Sequence, residues 1–232
     1  MKLAIMQPYF FPYLGYWQML NAVDKFVIYD DVNYIPRGYI NKNSILLNGN
    51  AYRFSIPIEK ASQNKLIKET KLKFDLKDKE NFLKTITLAY KKAPFYNDTF
   101  AILEKIIYNN ENDLTKYLKY HFEKIFEYLD IHTEILLSSE IEKNNEYQAQ
   151  EKIIEICHKL RANQYINAIG GQELYEKEEF VKNGIILNFI KMNEIQYKQF
   201  YNNFVPNLSI IDIMMFNSPK TIKAMLNEYK LY

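Results

Sequence analysis

One cysteine, one tryptophan, three arginines and six glycines are spread over 232 residues. A single cysteine excludes an internal disulfide and a cysteine-rich metal site. No glycine stands in a G-x-x-x-x-G-K-[ST] or G-x-G-x-x-G pattern, so the glycine-rich phosphate loops are excluded too. No stretch approaches the roughly 18 apolar residues of a membrane helix. The N-terminal MKLAIMQPYFFPY is broken by Gln7 and Pro8 before it could act as a secretory h-region. The 30 basic and 28 acidic residues leave a formal charge of +2. That balance is too even to suggest a nucleic-acid coat or an electrostatic membrane binder. Together these absences predict a cytoplasmic protein of one domain, long enough to need no covalent staple.

Nucleophile-and-base patterns are missing as well. Cys157 and His158 are adjacent in a helical segment, so their side chains point about 100° apart and form no dyad with each other. Cys157 reads as a core residue. His121 and His132 neighbour no candidate Ser or Cys, and there is no G-x-S-x-G elbow. No His, Cys and carboxylate set has metal-ligand spacing. Acid–base chemistry is therefore left to Asp, Glu, Tyr or Lys.

What the chain has in excess is aromatic bulk, 20 Tyr and 15 Phe. Its order of segments is informative. Met1–Met6 reads as a short buried strand. Pro8 and Pro12 hold an extended loop after it. Tyr16, Met19, Leu20 and Val23 are spaced as a helix, and KFVIY (25–29) reads as a second strand. This is a strand–loop–helix–strand opening of a parallel sheet. Asn48-Gly49 between two apolar runs predicts a hairpin, because both turn positions need φ > 0. Residues 59–71 read as a charged loop into a short strand near Leu72. Helices are expected over 78–92, 97–110 and 113–129. A strand (134–137), a helix (148–160), a strand (164–169), a short helix (178–183) and a strand (185–190) follow. Ser209 opens a last helical region, and Asp212 three residues on makes a capping-box pattern. The fold class is α/β: a Rossmann-like parallel sheet with a helical insertion and a β-hairpin. A single domain spans 1–232, with the insertion at roughly 76–130.

Ligands of such sheets bind beyond the carboxyl ends of the strands, and three segments fall there. The first runs from Gln7 to Gln18. Its aromatics could simply cover the core, but that does not explain Gln7 between a strand and a proline. The second is Tyr29-Asp30-Asp31-Val32-Asn33-Tyr34, followed by Arg37, Asn41, Lys42 and Asn43. Asp30-Asp31 reads either as a solvated turn or as a carboxylate that anchors an amine or takes its proton. Arg37, in a Lys-rich chain, reads as a surface charge or a bidentate anion contact. The third runs from Asn167 to Tyr175. Its Gly170-Gly171 reads as a turn needing φ > 0 or as a backbone N–H cradle.

These segments carry a family resemblance. MQPYFFPYLGYWQ, YDDVNY, RGYINKN before the hairpin, NAIGGQELY, and FVPNLSIIDIMMFNSP near the end resemble the WbqC-like proteins, in the same order over essentially the whole chain. Asn167 stands where Ser is expected. Gln196 and Tyr197 stand where the family commonly has a histidine-containing segment. A weaker likeness links the opening unit to the nucleotidyltransferase and class I aminoacyl-tRNA synthetase superfamily. Tyr13 and Tyr16 there replace both histidines of H-I-G-H, which argues against adenylation.

The resemblance implies bacterial surface-polysaccharide (O-antigen) biosynthesis and modification of an amino sugar. The expected reaction attaches an acyl group, aminoacyl such as glycyl, to the amine of a nucleotide-linked amino sugar. The donor would be charged tRNA or acyl-CoA, and no tightly bound cofactor is expected. Asp30 or Asp31 would deprotonate or position the amine. Gln7, Asn41 and the Gly170-Gly171 amides would hold the carbonyl oxygen. Tyr9, Tyr13, Tyr16 and Tyr175 would stack on sugar or base. Arg37 and Lys42 would meet phosphate, with Asn33 and Asn43 beside them. Asp212 would serve the site or cap its helix. The alternative is a non-catalytic sugar-nucleotide or partner-binding protein of the same pathway.

Overall fold

The computed structural model describes residues 1–144, 146–200 and 203–232. The chain runs β1 (Lys2–Met6), α1 (Leu14–Asn21), β2 (Lys25–Ile28), the hairpin β3 (Lys42–Leu47) and β4 (Asn50–Ser55), then α2 (Leu76–Tyr90), α3 (Tyr96–Ile107) and α4 (Leu114–Leu129). It continues through β5 (Glu134–Leu137), α5 (Ala149–Lys159), β6 (Gln164–Ala168), α6 (Lys177–Lys182), β7 (Ile186–Met192), α7 (Ile210–Phe216), α8 (Pro219–Met225) and β8 (Tyr229–Leu231). No described helix is long and apolar enough to cross a membrane.

Alternation along the strands decides the layers. Leu3, Ile5, Val27, Tyr165, Leu187 and Phe189 face a core shared with Ile153, Ile156 and Cys157 of α5 and Phe180 of α6. Ala4, Phe26, Ile28, Ile166 and Ile190 face the opposite, larger core of α1, α4 and α7. A strand shows its two faces to alternate residues, so each needs helices on both sides. The six-stranded sheet has the order β5-β2-β1-β6-β7-β8, with β8 its one antiparallel member. Counting the parallel strands alone, this is the doubly wound order 3-2-1-4-5. The chain leaves β1 in one direction and returns on the other side at β6, which makes that junction the switch point. There the two strands pair only at their starts, Lys2 with Gln164 and Leu3 with Tyr165.

The hairpin forms as expected, with Asn48 at φ 50° and Gly49 at φ 76°. Asp75 and Asp113 cap α2 and α4, accepting from the amides of Asp78 (2.9 Å) and Lys116 (3.0 Å). The strand expected near Leu72 reduces to a bridge with Ile58, since residues 67–69 form a 3-10 turn instead. β8 has no counterpart in the sequence reading. Its three residues are too few for alternation to show. The helices of 76–129 do not form a free lobe: Phe122 of α4 stacks on Tyr16 at 5.8 Å between ring centres and lies 5.5 Å from Trp17.

Candidate functional site

The loop after β1 is built of residues whose own side chains cannot hold it. Phe11 sits at φ 45°, a left-handed conformation that costs a non-glycine residue about 1–3 kcal/mol. Its surroundings hold it there. The Phe11 amide donates to Nε2 of His121 at 3.2 Å, and Asn43 Nδ2 donates to the carbonyls of Phe11 (2.8 Å) and Phe10 (3.2 Å). Pro12 O accepts from Trp17 Nε1 at 2.9 Å and from the Ile210 amide at 3.0 Å. Tyr16 donates its hydroxyl to Gln7 O at 2.7 Å. Full burial drives the His121 pKa down to about 3, against a weaker opposing pull from Leu118 O. The imidazole is therefore neutral, and accepting at Nε2 places its proton on Nδ1, facing Leu118 O at 3.3 Å.

This fixed loop forms one wall of a pocket of about 380 Å³ lined by Tyr9, Pro12, Tyr13, Tyr39, Asn43 and Asn207. Tyr9 and Tyr39 lie 5.8 Å apart between ring centres. Tyr13 is 38% exposed and folds back over the start of α1. A Cβ on Gly15 would stand 2.6 Å from its ring, so Gly15 is there to let the tyrosine lie down. Asn207 closes the pocket from a left-handed conformation, φ 57°. Among the described residues no charged side chain lines it. A larger open groove of about 670 Å³ runs along the outer faces of α5 and α6, but its lining is the solvent side of two surface helices.

Behind the pocket, a cleft shared by Tyr13 and Asn207 also includes Tyr197. Tyr197 donates to Oδ2 of Asp212 at 2.6 Å. The same carboxylate accepts from Tyr90 (2.7 Å) and Gln199 (2.8 Å). Asp212 is wholly buried. Burial raises its pKa, and the three donors only partly oppose that. The capping box expected from Ser209 and Asp212 is not formed. Ser209 Oγ accepts from the Ile211 amide at 3.2 Å, while Asp212 turns inward. A helical residue three positions after the cap can face the core instead of the cap, and three donors there outweigh one amide.

Asp30 and Asp31 lie at the end of β2 and line a different place. Asp30 is buried, its carboxylate held by the Ser139 amide (2.9 Å) and hydroxyl (2.6 Å) at the end of β5. Burial raises its pKa, opposed by those Ser139 bonds. Asp31 pairs with Lys143 at 2.8 Å and Lys152 at 3.2 Å; the side chains are 8%, 3% and 11% exposed. Burial alone would raise the Asp31 pKa, but hydrogen bonding and charge from the lysines and Ser138 bring it below the usual carboxylate range. Lys152 also lies over the Tyr29 ring at 5.3 Å.

The other expected site residues divide. Tyr9, Tyr13 and Asn43 meet in the pocket. Tyr16 is buried against Phe122. Asn41 is buried, accepting from Tyr34 (2.7 Å) and donating to Ile56 O (2.8 Å). Gln7 is half-buried at the switch point, and its side chain makes no hydrogen bond among the described residues. Arg37 is exposed and Lys42 half-buried, both without an ion pair among the described residues, and Asn33 is exposed. Gly170 and Gly171 sit in a 3-10 turn (Ile169–Leu174) without the positive φ expected of them. What Gly171 supplies is room: a Cβ there would lie 2.6 Å from Asn167 Nδ2. Tyr175 packs on Tyr165 and Phe180. Sequence reasoning missed His121, Tyr90, Gln199 and Asn207. Only Tyr197 had a signal, as a departure from a family position.

A model of the WbqC-like protein family matches residues 7–224, which carry every part of the pocket. The chain belongs to the WbqC-like protein family. Among curated proteins, this WbqC-like chain is similar to an uncharacterized protein, Rv1507c, of Mycobacterium tuberculosis (strain ATCC 25618 / H37Rv), 24% identical over 216 residues and 92% of each chain. No solved structure matches it. The likeness of its opening unit to nucleotidyltransferases and class I synthetases finds no support in these matches.

Proposed function

We propose that this WbqC-like protein is a transferase of surface-glycan biosynthesis that acylates the amine of a nucleotide-linked amino sugar. The observation that carries this reading is the uncharged tyrosine pocket with a buried carboxylate behind it. Tyrosine faces suit the C–H face of a pyranose, and their hydroxyls suit its hydroxyl groups. Asn207 offers an amide group for the same ring, while Asn43 is spent on holding the pocket wall. Arg37 and Lys42, next in sequence to the pocket residues, are free to meet a diphosphate left outside. Gln7 and the turn at Gly170-Gly171 flank the switch point, where the nucleotide of such folds sits.

In the reaction, the amine nitrogen attacks the acyl carbonyl carbon and a new C–N bond forms. The carbonyl bond to the donor's oxygen (charged tRNA) or sulfur (acyl-CoA) breaks, and the donor leaves as its alcohol or thiol. The amine loses a proton, which Tyr197 passes to Asp212; the same relay then returns it to the departing oxygen or sulfur, so the carboxylate is regenerated. A carboxylate with a raised pKa is a better base than an ordinary one. Asp31, held ionised by two lysines, is a poorer base, and Asp30 has both carboxylate oxygens held by Ser139 away from the pocket, so the two act as positioning residues for the strand ends. No nucleophilic side chain is required, because orientation alone supplies much of the rate.

Incubating the protein with UDP- or dTDP-amino sugars and a panel of donors, charged tRNA and acyl-CoA included, is expected to give a sugar nucleotide heavier by the acyl group. Tyr13→Ala and Tyr39→Ala should each raise KM by about tenfold, as loss of one aromatic face costs about 1 kcal/mol or more. Saturable sugar-nucleotide binding with no product from any donor would replace the transferase with the non-catalytic binding module.

Gly15→Ala separates the pocket from the fold. Alanine in a helix is worth up to about 1 kcal/mol over glycine, yet its Cβ collides with the Tyr13 ring. The expected outcome is a protein of equal or higher melting temperature with weakened sugar-nucleotide affinity. Unchanged affinity in titration calorimetry would show that the Tyr13 pose is irrelevant to binding.

A further inference from the structure

The near-zero total charge conceals a segregation. Residues 37–92 hold thirteen basic side chains against five acidic, while the other 176 hold seventeen against twenty-three. Two of the three arginines, Arg37 and Arg53, are in this segment. Ten of the thirteen are exposed, and among the described residues only Lys84 forms an ion pair, with Glu80 at 3.8 Å. Lysines that merely reflect composition would be scattered among acidic partners. These are not.

The fold gathers them. Phe54 of β4 meets Phe82 of α2 at 5.3 Å and seats the hairpin on that helix. The Glu59 amide donates to Lys71 O (2.7 Å) and that of Lys73 to Pro57 O (3.0 Å), so the strand leaving β4 lies beside the one entering α2. Lys77, Lys84 and Lys91 follow at seven-residue steps along and just past α2, all exposed. Two such steps span about 21 Å at 1.5 Å per residue, and seven residues nearly complete two turns. A straight basic stripe results, with Lys71 and Lys73 leading into it. Arg53 and Lys42 are on one face of the hairpin, by the register Lys42–Ser55 and Ser44–Arg53. Exposed Tyr52 is next to Arg53 in β4 but on the other face, with Phe54, and exposed Tyr39 lies between Arg37 and Lys42 in sequence.

We infer that the surface formed by the hairpin, the 56–75 segment and α2 binds RNA. Regularly spaced, exposed cations over about 20 Å, Lys84 alone of the three stripe lysines carrying an ion pair among the described residues, match a run of phosphates. Interleaved tyrosines and arginines supply stacking for unpaired bases. An anionic bilayer fits less well. α2 spends its main apolar face, Phe82, Leu83, Ile86 and Tyr90, on the core and exposes just two leucines, Leu76 and Leu88, too few to form an inserting apolar face.

The test is fluorescence anisotropy of the full chain with labelled bulk tRNA over a salt series, beside flotation with phosphatidylserine–phosphatidylcholine vesicles. The triple variant Lys77→Glu, Lys84→Glu, Lys91→Glu is compared with Lys159→Glu, Lys220→Glu, Lys230→Glu, which makes the same charge change at exposed sites elsewhere. The expected result is a loss of tRNA affinity of about tenfold or more in the first triple only. The slope of log K against log salt should fall by about two to three, close to one per lost phosphate contact. Equal loss in both triples, or no tRNA binding by the wild type, overturns the inference. So does vesicle binding that exceeds tRNA binding and is abolished by the first triple. If the Glu triple fails to fold by circular dichroism, Lys77→Gln, Lys84→Gln, Lys91→Gln takes its place. The inference stands apart from the transfer reaction. RNA binding without turnover would leave it intact and sink the transferase, and turnover from acyl-CoA without RNA binding would do the reverse.

Discussion

Asp31→Asn is expected to cost about 3–5 kcal/mol of folding stability at pH 7, the usual penalty for breaking a buried ion pair from one side. The substitution keeps the shape and removes the charge. Lys143 and Lys152 would then be left in a nearly dry space without their carboxylate, since neighbouring Asp30 is already committed to Ser139. The pH dependence has a definite sign. The native Asp31 pKa lies below the ordinary value, so its contribution is present above the unfolded pKa, about 3.9, and is lost as pH falls through the native value. Urea unfolding of wild type and variant should show a gap that is constant near neutrality and closes below about pH 4. A gap under about 1 kcal/mol at pH 7 would mean that water reaches the lysines and that the triad is no structural clamp.

Asp212→Leu should be comparably damaging, by about 3–5 kcal/mol, because it strands three buried donors at once, on Tyr90, Tyr197 and Gln199. Asp212→Asn should behave differently. Burial raises the Asp212 pKa, so removing the charge costs less than at Asp31, and Asn keeps an acceptor oxygen for the donors, so the Asn protein should remain within about 1.5 kcal/mol of wild type. Here the sign is opposite to that of Asp31. The contribution of Asp212 is fully present below its unfolded pKa and is lost as pH rises through the native one. The Asn variant should therefore compare worst with wild type in acid and best at neutral pH. Under the proposed mechanism it should still lower kcat by about 10²-fold or more, with KM little changed. Full activity in the Asn variant would remove Asp212 from proton transfer and leave it a purely structural anchor.

The sheet was legible because it rests on short-range signals. The alternation of Leu3, Ala4 and Ile5, and of Phe26 and Val27, is visible within a few residues, and so is Asn48-Gly49. The pocket was legible in part, for the same reason. Tyr9, Tyr13 and Asn43 sit where strand ends and prolines pointed. What could not be read depends on partners far along the chain. Nothing near His121 says that Phe11, 110 residues earlier, needs its lone pair. Nothing near Tyr90 says that Asp212 waits for its hydroxyl, 122 residues on. For Asp212 the sequence leaves two roles open, the site or the cap, and the local one, the capping box, is overridden by a non-local network. Asp30 and Asp31 drew attention as a carboxylate pair, yet their roles were set by Ser139 and two lysines on another crossover. The charged segment of 59–71 was read as a loop, and its charge was averaged into a total that hid it.

The left-handed Phe11 has a consequence for how the pocket breathes. Loops after a first strand commonly open by themselves, at a small fraction of the global free energy. This one is fastened from three distant quarters: α4 through His121, the hairpin through Asn43 and the start of α7 through the Ile210 amide. Releasing it means undocking those elements. The pocket wall thus belongs to the same cooperative unit as the larger core, and a ligand seated against it raises the melting point of the whole chain.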